Sequence, residues 1–311
     1  MQDGAKKPVS VRSSERVAWS GIILYIVLTF AISWGFWLSL RAAGVPFFIR
    51  TAVGMFGPAL GALLVRLVRR EGFDDAALRL VAKGRLGAGW MYLAAYVTIP
   101  LLIFAGMGIA LLTTYQHWNL AAYVQTQAQA IASGGQPLPW GLSAEQFALI
   151  SVIADVALVF TLLIPLNAIF AFGEEFGWRS YLLPRLSPLG GVTAAIITGV
   201  IWGLWHAPLI LLDGYDYPGH PVSGVGMMVI FTTATGVIFA WLRFRSGSVW
   251  PSTLAHAALN AQAPAAWLFL SPGDSLIRPF NGILGLIPMI ALALWLAATK
   301  RVTPDTSQQA E

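Results

Sequence analysis

Residues 172–206 read FGEEFGWRSYLLPRLSPLGGVTAAIITGVIWGLWH, two apolar runs divided by the breaker cluster Ser187-Pro188-Leu189-Gly190-Gly191. Adjacent Pro and Gly end one helix and let the chain reverse, so the stretch is expected to form a helical hairpin with a cytoplasmic turn. Glu174 lies 16 residues before Gly190 and His206 lies 16 after it. On antiparallel helices these positions reach similar heights, about 20 Å above the turn at roughly 1.5 Å per residue, less what the turn consumes. This requires the first helix to run through the glutamates to about Leu183, with Pro165 kinking it earlier. Ionisable groups so deep in apolar sequence are costly and face a bundle interior or a wet cavity, so the chemistry is expected around FGEEFGWRS.

The rest of the chain has the same character. It is 57% hydrophobic and 11% charged, against roughly 25% charged in an average soluble domain. Apolar windows fall at about 17–40, 51–68, 88–113, 150–183, 190–212, 224–242, 249–270 and 281–298. The expected fold class is all-α, a polytopic membrane helix bundle of about eight transmembrane helices. The first window follows Lys6, Lys7, Arg12 and Arg16, but its apolar run is long for a signal peptide and no A-x-A site closes it, so it reads as a retained anchor. With a cytoplasmic N-terminus, 16 of the 19 Lys and Arg fall inside and only Arg41, Arg50 and Arg278 fall opposite. That bias places both termini in the cytoplasm, most simply of a cell-membrane protein, and makes the +5 charge a mark of topology and not of nucleic-acid binding. The expected organisation is a disordered tail over 1–16, one membrane domain over 17–300 with a catalytic core at about 150–262, and a second disordered tail over 301–311. Between Thr114 and Gln146 an external interfacial helix is expected near 119–132, followed by a capping box of Ser143 and Gln146. No cysteine is present, which excludes disulfides, thiolate metal sites and a thiol nucleophile.

Helical spacing sorts the polar residues. Glu175 and Arg179 are four apart and can pair, whereas Glu174 is turned by about 100° and shares a face with Trp178. Gly199, Gly203 and His206 form a small-residue stripe along which a second backbone can approach, with Trp202 one turn before the histidine. His256 lies 11 residues after Arg245, deep in its own run, and Asn260 follows one turn later. A carboxylate and an imidazole can jointly deprotonate water, and imidazole and carboxamide N–H groups can hold an oxyanion, a set sufficient for carbonyl hydrolysis without a covalent nucleophile. H-E-x-x-H, G-x-G-D and G-x-S-x-G are absent. His117, His220, Asp213 and Asp216 read as loop and turn residues, Asp155 as a residue of the outer interface, and Asn167 has no assigned role.

E-E-x-x-x-R at Glu174, Glu175 and Arg179, aromatic-x-x-x-H at Trp202 and His206, and H-x-x-x-N at His256 and Asn260 resemble, in order, the three motifs of the CPBP family (CAAX prenyl endopeptidase and bacteriocin-processing). The resemblance covers about 150–262 and departs from the family in Trp202, where phenylalanine is usual. It implies an eight-span helical intramembrane endopeptidase of the type II CAAX kind that cleaves membrane-associated or hydrophobic peptides. By it, Glu174 and His206 would activate water, His256 and Asn260 would form the oxyanion site, and Glu175, Arg179 and Trp202 would support the architecture. No cofactor is favoured; if a divalent metal such as zinc were bound, Glu174, His206 and His256 would be its ligands. The alternatives are a catalytically silent scaffold or immunity-type protein of the same fold, which needs no Glu174 and His206 pair, and a transporter, which usually shows repeats or paired broken helices not found here.

Overall fold

A computed structural model describes residues 17–81 and 86–304. The tail 1–16, Lys83, Arg85 and the chain beyond Pro304 lie outside the described residues. The described chain is all-helical: α1 (Trp19–Ala42), α2 (Phe47–Gly54), α3 (Gly57–Arg69), α4 (Trp90–Leu112), α5 (Leu120–Ser133), α6 (Ala144–Phe160), α7 (Leu163–Gly177), α8 (Leu183–Leu186), α9 (Gly191–Trp205), α10 (Ala207–Asp213), α11 (Pro221–Ser246), α12 (Trp250–Leu268) and α13 (Ile283–Ala298). Short 3₁₀ turns join several of them.

Each of the eight expected windows forms helix, but the count of eight spans is not reached. Among the described residues five segments are long and apolar enough to cross a membrane: Trp19–Ala42, Phe47–Arg69, Trp90–Leu112, Gly191–Asp213 and Pro221–Ser246. A sixth is the pair Ala144–Phe160 and Leu163–Leu189, bent by 46°. The two windows that fall short do so for different reasons. α12 carries Ser252, Thr253, His256, Asn260 and Gln262, most of them buried inside the bundle, so burial against protein replaces hydropathy. α13 has 16 residues, about 24 Å of helix, short of a hydrocarbon core of about 30 Å.

The bend confirms that Pro165 breaks its helix and fixes where. A proline ring clashes with the carbonyl four residues earlier, here Thr161, whose backbone has left the helical region at φ −127° and ψ −91°. α6 begins at the expected capping box, with the Ser143 hydroxyl accepting from the Gln146 N–H and the Gln146 side chain accepting from the Ser143 N–H. The expected helix near 119–132 is α5, which packs on α6 through Val124, Ala148 and Val152.

The hairpin closes at Gly190, whose φ of 98° suits glycine. Val302, at the start of the expected tail, is buried, and its carbonyl lies where a Cβ on Gly191 would sit, so 301–304 is packed against the turn. α7 occupies the middle of the bundle between α3 and α12, and α9 runs along α11. Close approach is built by glycine. A Cβ on Gly199 or Gly203 would come within 2.5 Å of the α11 backbone at Thr233 or Val229, which is the contact expected from the small-residue stripe. The same device on α7 was not anticipated: a Cβ on Gly177 would meet Pro58 and the Tyr25 hydroxyl at 2.4 Å, and one on Gly173 would meet the Met55 carbonyl at 2.9 Å. The spacing of Gly173 and Gly177 around the two glutamates was the available signal.

Candidate active site

Past Gly177 the chain widens into a π-turn, Trp178–Leu182, before α8 resumes. Wide turns of this kind gather at functional positions because they re-aim a few side chains without ending the helix. The helix therefore does run past the glutamates to Leu183, as depth matching requires, but not as uninterrupted α-helix.

Glu174 is 2% exposed. Its Oε2 accepts from the indole N–H of Trp202 at 2.6 Å and, more distantly, from that of Trp178 at 3.4 Å, the face-sharing residue. Oε1 receives neither bond. Trp202 is thus more than a shield or support, because its N–H makes a bond to the carboxylate that phenylalanine cannot make. The same ring lies under the Arg179 guanidinium at 4.7 Å, 5.2 Å from the His256 ring and 6.1 Å from the His206 ring. One indole accordingly touches α7, α9 and α12 residues at once.

His206 stands where α9 gives way to α10. Pro208 has no N–H to offer the Leu204 carbonyl and the Leu209 N–H turns to the His206 carbonyl, so α9 ends at Trp205, whose carbonyl accepts from the Trp34 indole at 2.9 Å. The His206 Nδ1 lies 2.9 Å from the Trp202 carbonyl. A carbonyl only accepts, so Nδ1 carries the proton and Nε2 presents a lone pair. Glu174 and His206 make no direct hydrogen bond among the described residues; each neighbours Trp202.

His256 was expected to act beside Asn260, and the structure adds a partner. Its Nδ1 donates to Glu175 Oε1 at 2.9 Å, and the same oxygen pairs with Arg179 Nη1 at 3.1 Å. Arg179 is also stacked by Phe239 at 5.1 Å. The expected Glu175–Arg179 pair is present, buried, and extended into a row of Arg179, Glu175 and His256. Sequence spacing could not show this link, since 81 residues separate Glu175 from His256. Asn260 lies one turn further along α12 and is partly exposed. Among the described residues no three His, Asp or Glu side chains group so as to hold a metal ion, so the conditional set Glu174, His206 and His256 is not gathered into a ligand cluster.

Away from this core, three expectations change. Asp213 and Asp216 are ion-pair anchors and not plain turn residues. Arg50 grips Asp213 with two bonds of 2.7 and 2.8 Å and Arg41 adds a third at 3.1 Å, while Arg278 pairs with Asp216 at 3.6 Å. The three basic residues set apart by the charge count therefore all tie to one loop. His220 is paired with Asp274 at 2.9 Å. Asp155 is exposed, and the Asn167 amide bonds the Leu163 carbonyl at 2.9 Å on its own helix.

The described residues, all helical with several apolar spans, define an integral, multi-pass membrane protein with a buried core of carboxylates and imidazoles. The family model described as type II CAAX prenyl endopeptidase Rce1-like matches residues 155–262, from α6 to α12. That segment is similar to CAAX proteases of the CPBP kind, a family of peptidases. No curated protein matches the chain.

Proposed function

We propose that the protein is an intramembrane endopeptidase that hydrolyses peptide bonds of membrane-associated or hydrophobic peptides with water activated by Glu174 and His206. The observation that carries this reading is the meeting of Glu174, His206 and His256 around the single Trp202 ring. Glu174 keeps Oε1 without an indole bond and His206 keeps Nε2 unprotonated, so either can accept a proton from water. As that O–H bond breaks, the oxygen bonds to the scissile carbonyl carbon. Asn260, and His256 when protonated at Nε2, donate to the resulting oxyanion. The Glu175 carboxylate steadies that imidazolium through Nδ1, the part a buried carboxylate plays behind a catalytic histidine. Collapse breaks the C–N bond, and the proton taken from water passes to the leaving nitrogen. No step is routed through a metal, because the candidate ligands are not gathered. The bilayer is the working environment, and the substrate is a peptide or protein segment lodged in or at it.

The test compares wild-type and Glu174→Gln protein, both purified in detergent, for cleavage of candidate peptides. Membrane proteins and secreted peptides of cells carrying each are compared in parallel. Loss of cleavage with an unchanged melting curve supports the proposal. A cellular phenotype that survives Glu174→Gln identifies a scaffold instead, and substrate accumulation in vesicles without cleavage identifies a transporter.

A further inference from the structure

The proposed catalytic groups are nearly sealed: His256 is 3% exposed and His206 9%. Each turnover consumes one water, so the bundle needs a path for it. At the end of the bundle opposite the hairpin turn lies an open pocket of about 390 Å³, lined by Phe47, Pro218, Arg278 and the loop from Asp213 to Asp216. Tyr215 belongs to its wall and also stacks on His206, with ring centroids 6.2 Å apart and planes within 11°. One aromatic ring therefore separates a solvent-open depression from the imidazole.

The pocket is preformed. Asp213 on one side of Tyr215 is held by Arg50 and Arg41, and Asp216 on the other side by Arg278. Tyr217 is fully buried and donates to the Asn281 carbonyl at 2.8 Å, and the Tyr215 N–H donates to the Leu209 carbonyl at 3.1 Å. The backbone of the loop is pinned at both ends, and the Tyr215 ring packs against Phe47 at 5.7 Å and His206, with its hydroxyl donating to the Asp216 carboxyl. Polar walls whose charges are already paired suit water, which needs several hydrogen-bond partners and no net charge.

Resting on the proposed hydrolytic reading, we propose that this pocket is the water port of the site and that the Tyr215 ring is its inner door. The absence of native cysteine allows a direct test. In His206→Cys protein, the rate at which a small cationic methanethiosulfonate reagent modifies the thiol is measured. Opening the door with Tyr215→Ala raises that rate tenfold or more, and filling the pocket with Pro218→Trp lowers it tenfold or more. Rates within twofold of each other in all three proteins overturn the port. This readout needs no peptidase activity, so it stands even where the proposed reaction fails. A second measurement guards against misfolded variants. In Pro218→Cys protein with His206 intact, attaching a bulky disulfide-linked plug lowers kcat tenfold or more, and reduction restores it. A fully modified protein with unchanged kcat overturns the proposal. So does one in which KM alone rises, which would make the pocket a peptide subsite.

Discussion

At the scale of single residues, the site is a set of buried polar groups that hold one another. Glu175 is the clearest case, since one carboxylate oxygen serves both Arg179 and His256. Glu175→Gln leaves the guanidinium without its counter-charge in a dry bundle and is expected to cost on the order of 3 kcal/mol or more. Thermal unfolding in detergent checks it, and an unshifted melt would mean that Arg179 is held by other means. Glu174 and His206 make a second prediction. If they serve one water, alanine at either abolishes turnover and the double variant is little worse, because groups that act as a unit lose their effect together. Multiplicative losses would separate their roles. Asn260→Ala keeps a residual rate, down roughly a hundredfold to a thousandfold, as for a lost oxyanion donor. Trp202→Phe keeps the ring and deletes the 2.6 Å bond to Glu174. A hydrogen bond to a charged group contributes about 1.5–3 kcal/mol, so the variant melts at a lower temperature and its kcat falls about tenfold or more as the carboxylate loses its hold. Full turnover would show that the ring alone suffices, as the phenylalanine usual in the family implies.

At the scale of elements, Glu174 and His206 sit where a helix departs from regularity, whereas His256 and Asn260 lie within the continuous α12. Glu174 precedes a π-turn, His206 stands at the Pro208 break, and the glycine stripes press α7 and α9 against their neighbours. Gly199→Ala would drive a Cβ to 2.5 Å from the Thr233 backbone. Backbone gives way less readily than a side chain, so a loss of about 1–3 kcal/mol is expected; a variant as stable as wild type would show that α9 and α11 can part freely. The loop after α10 adds a pH dependence. Burial pushes the Asp216 carboxyl from an ordinary 3.8 up to about 6, against the pull of Arg278. A raised carboxyl pKa favours the folded state while the group is protonated. That contribution is complete at low pH and is lost as pH rises from about 4 through about 6. The melting temperature of wild type should fall across that window more than that of Asp216→Asn. Parallel curves would show that the carboxyl titrates normally.

At the scale of the whole molecule, charge separates the two ends of the bundle. Arg66, Arg69 and Arg185 pair with Glu71 and Asp75 at one end, and Arg41, Arg50 and Arg278 gather on the Asp213–Asp216 loop at the other. The 16 to 3 split of basic residues predicts that the first end and both termini face the cytoplasm. Reporter fusions at Lys300 and within 119–132 check this, and an external Lys300 would refute it. The span count belongs to the same scale. α12 is polar because it is walled in by α4, α6, α7 and α11, so a hydropathy rule made for lipid-facing helices passes it over.

The sequence by itself determined the helical, membrane-embedded class, the hairpin at Gly190, the Glu175–Arg179 pair and the three motifs. All of these depend on composition or on spacings of a few residues, which helix geometry converts directly into position. It also determined that Glu174 and Trp178 share a face, because one turn of helix leaves no other choice. Only the tertiary structure decided that His256 leans on Glu175, that the Trp202 N–H binds Glu174, that Asp213 collects Arg41 and Arg50, and that Tyr215 lies on His206. Those contacts join residues brought together by packing, and packing depends on how α7, α9, α11 and α12 rotate about their axes. That rotation is set by where glycine lets backbones close up and where proline breaks a helix, and it is decided by the bundle as a whole and not by any one segment of it.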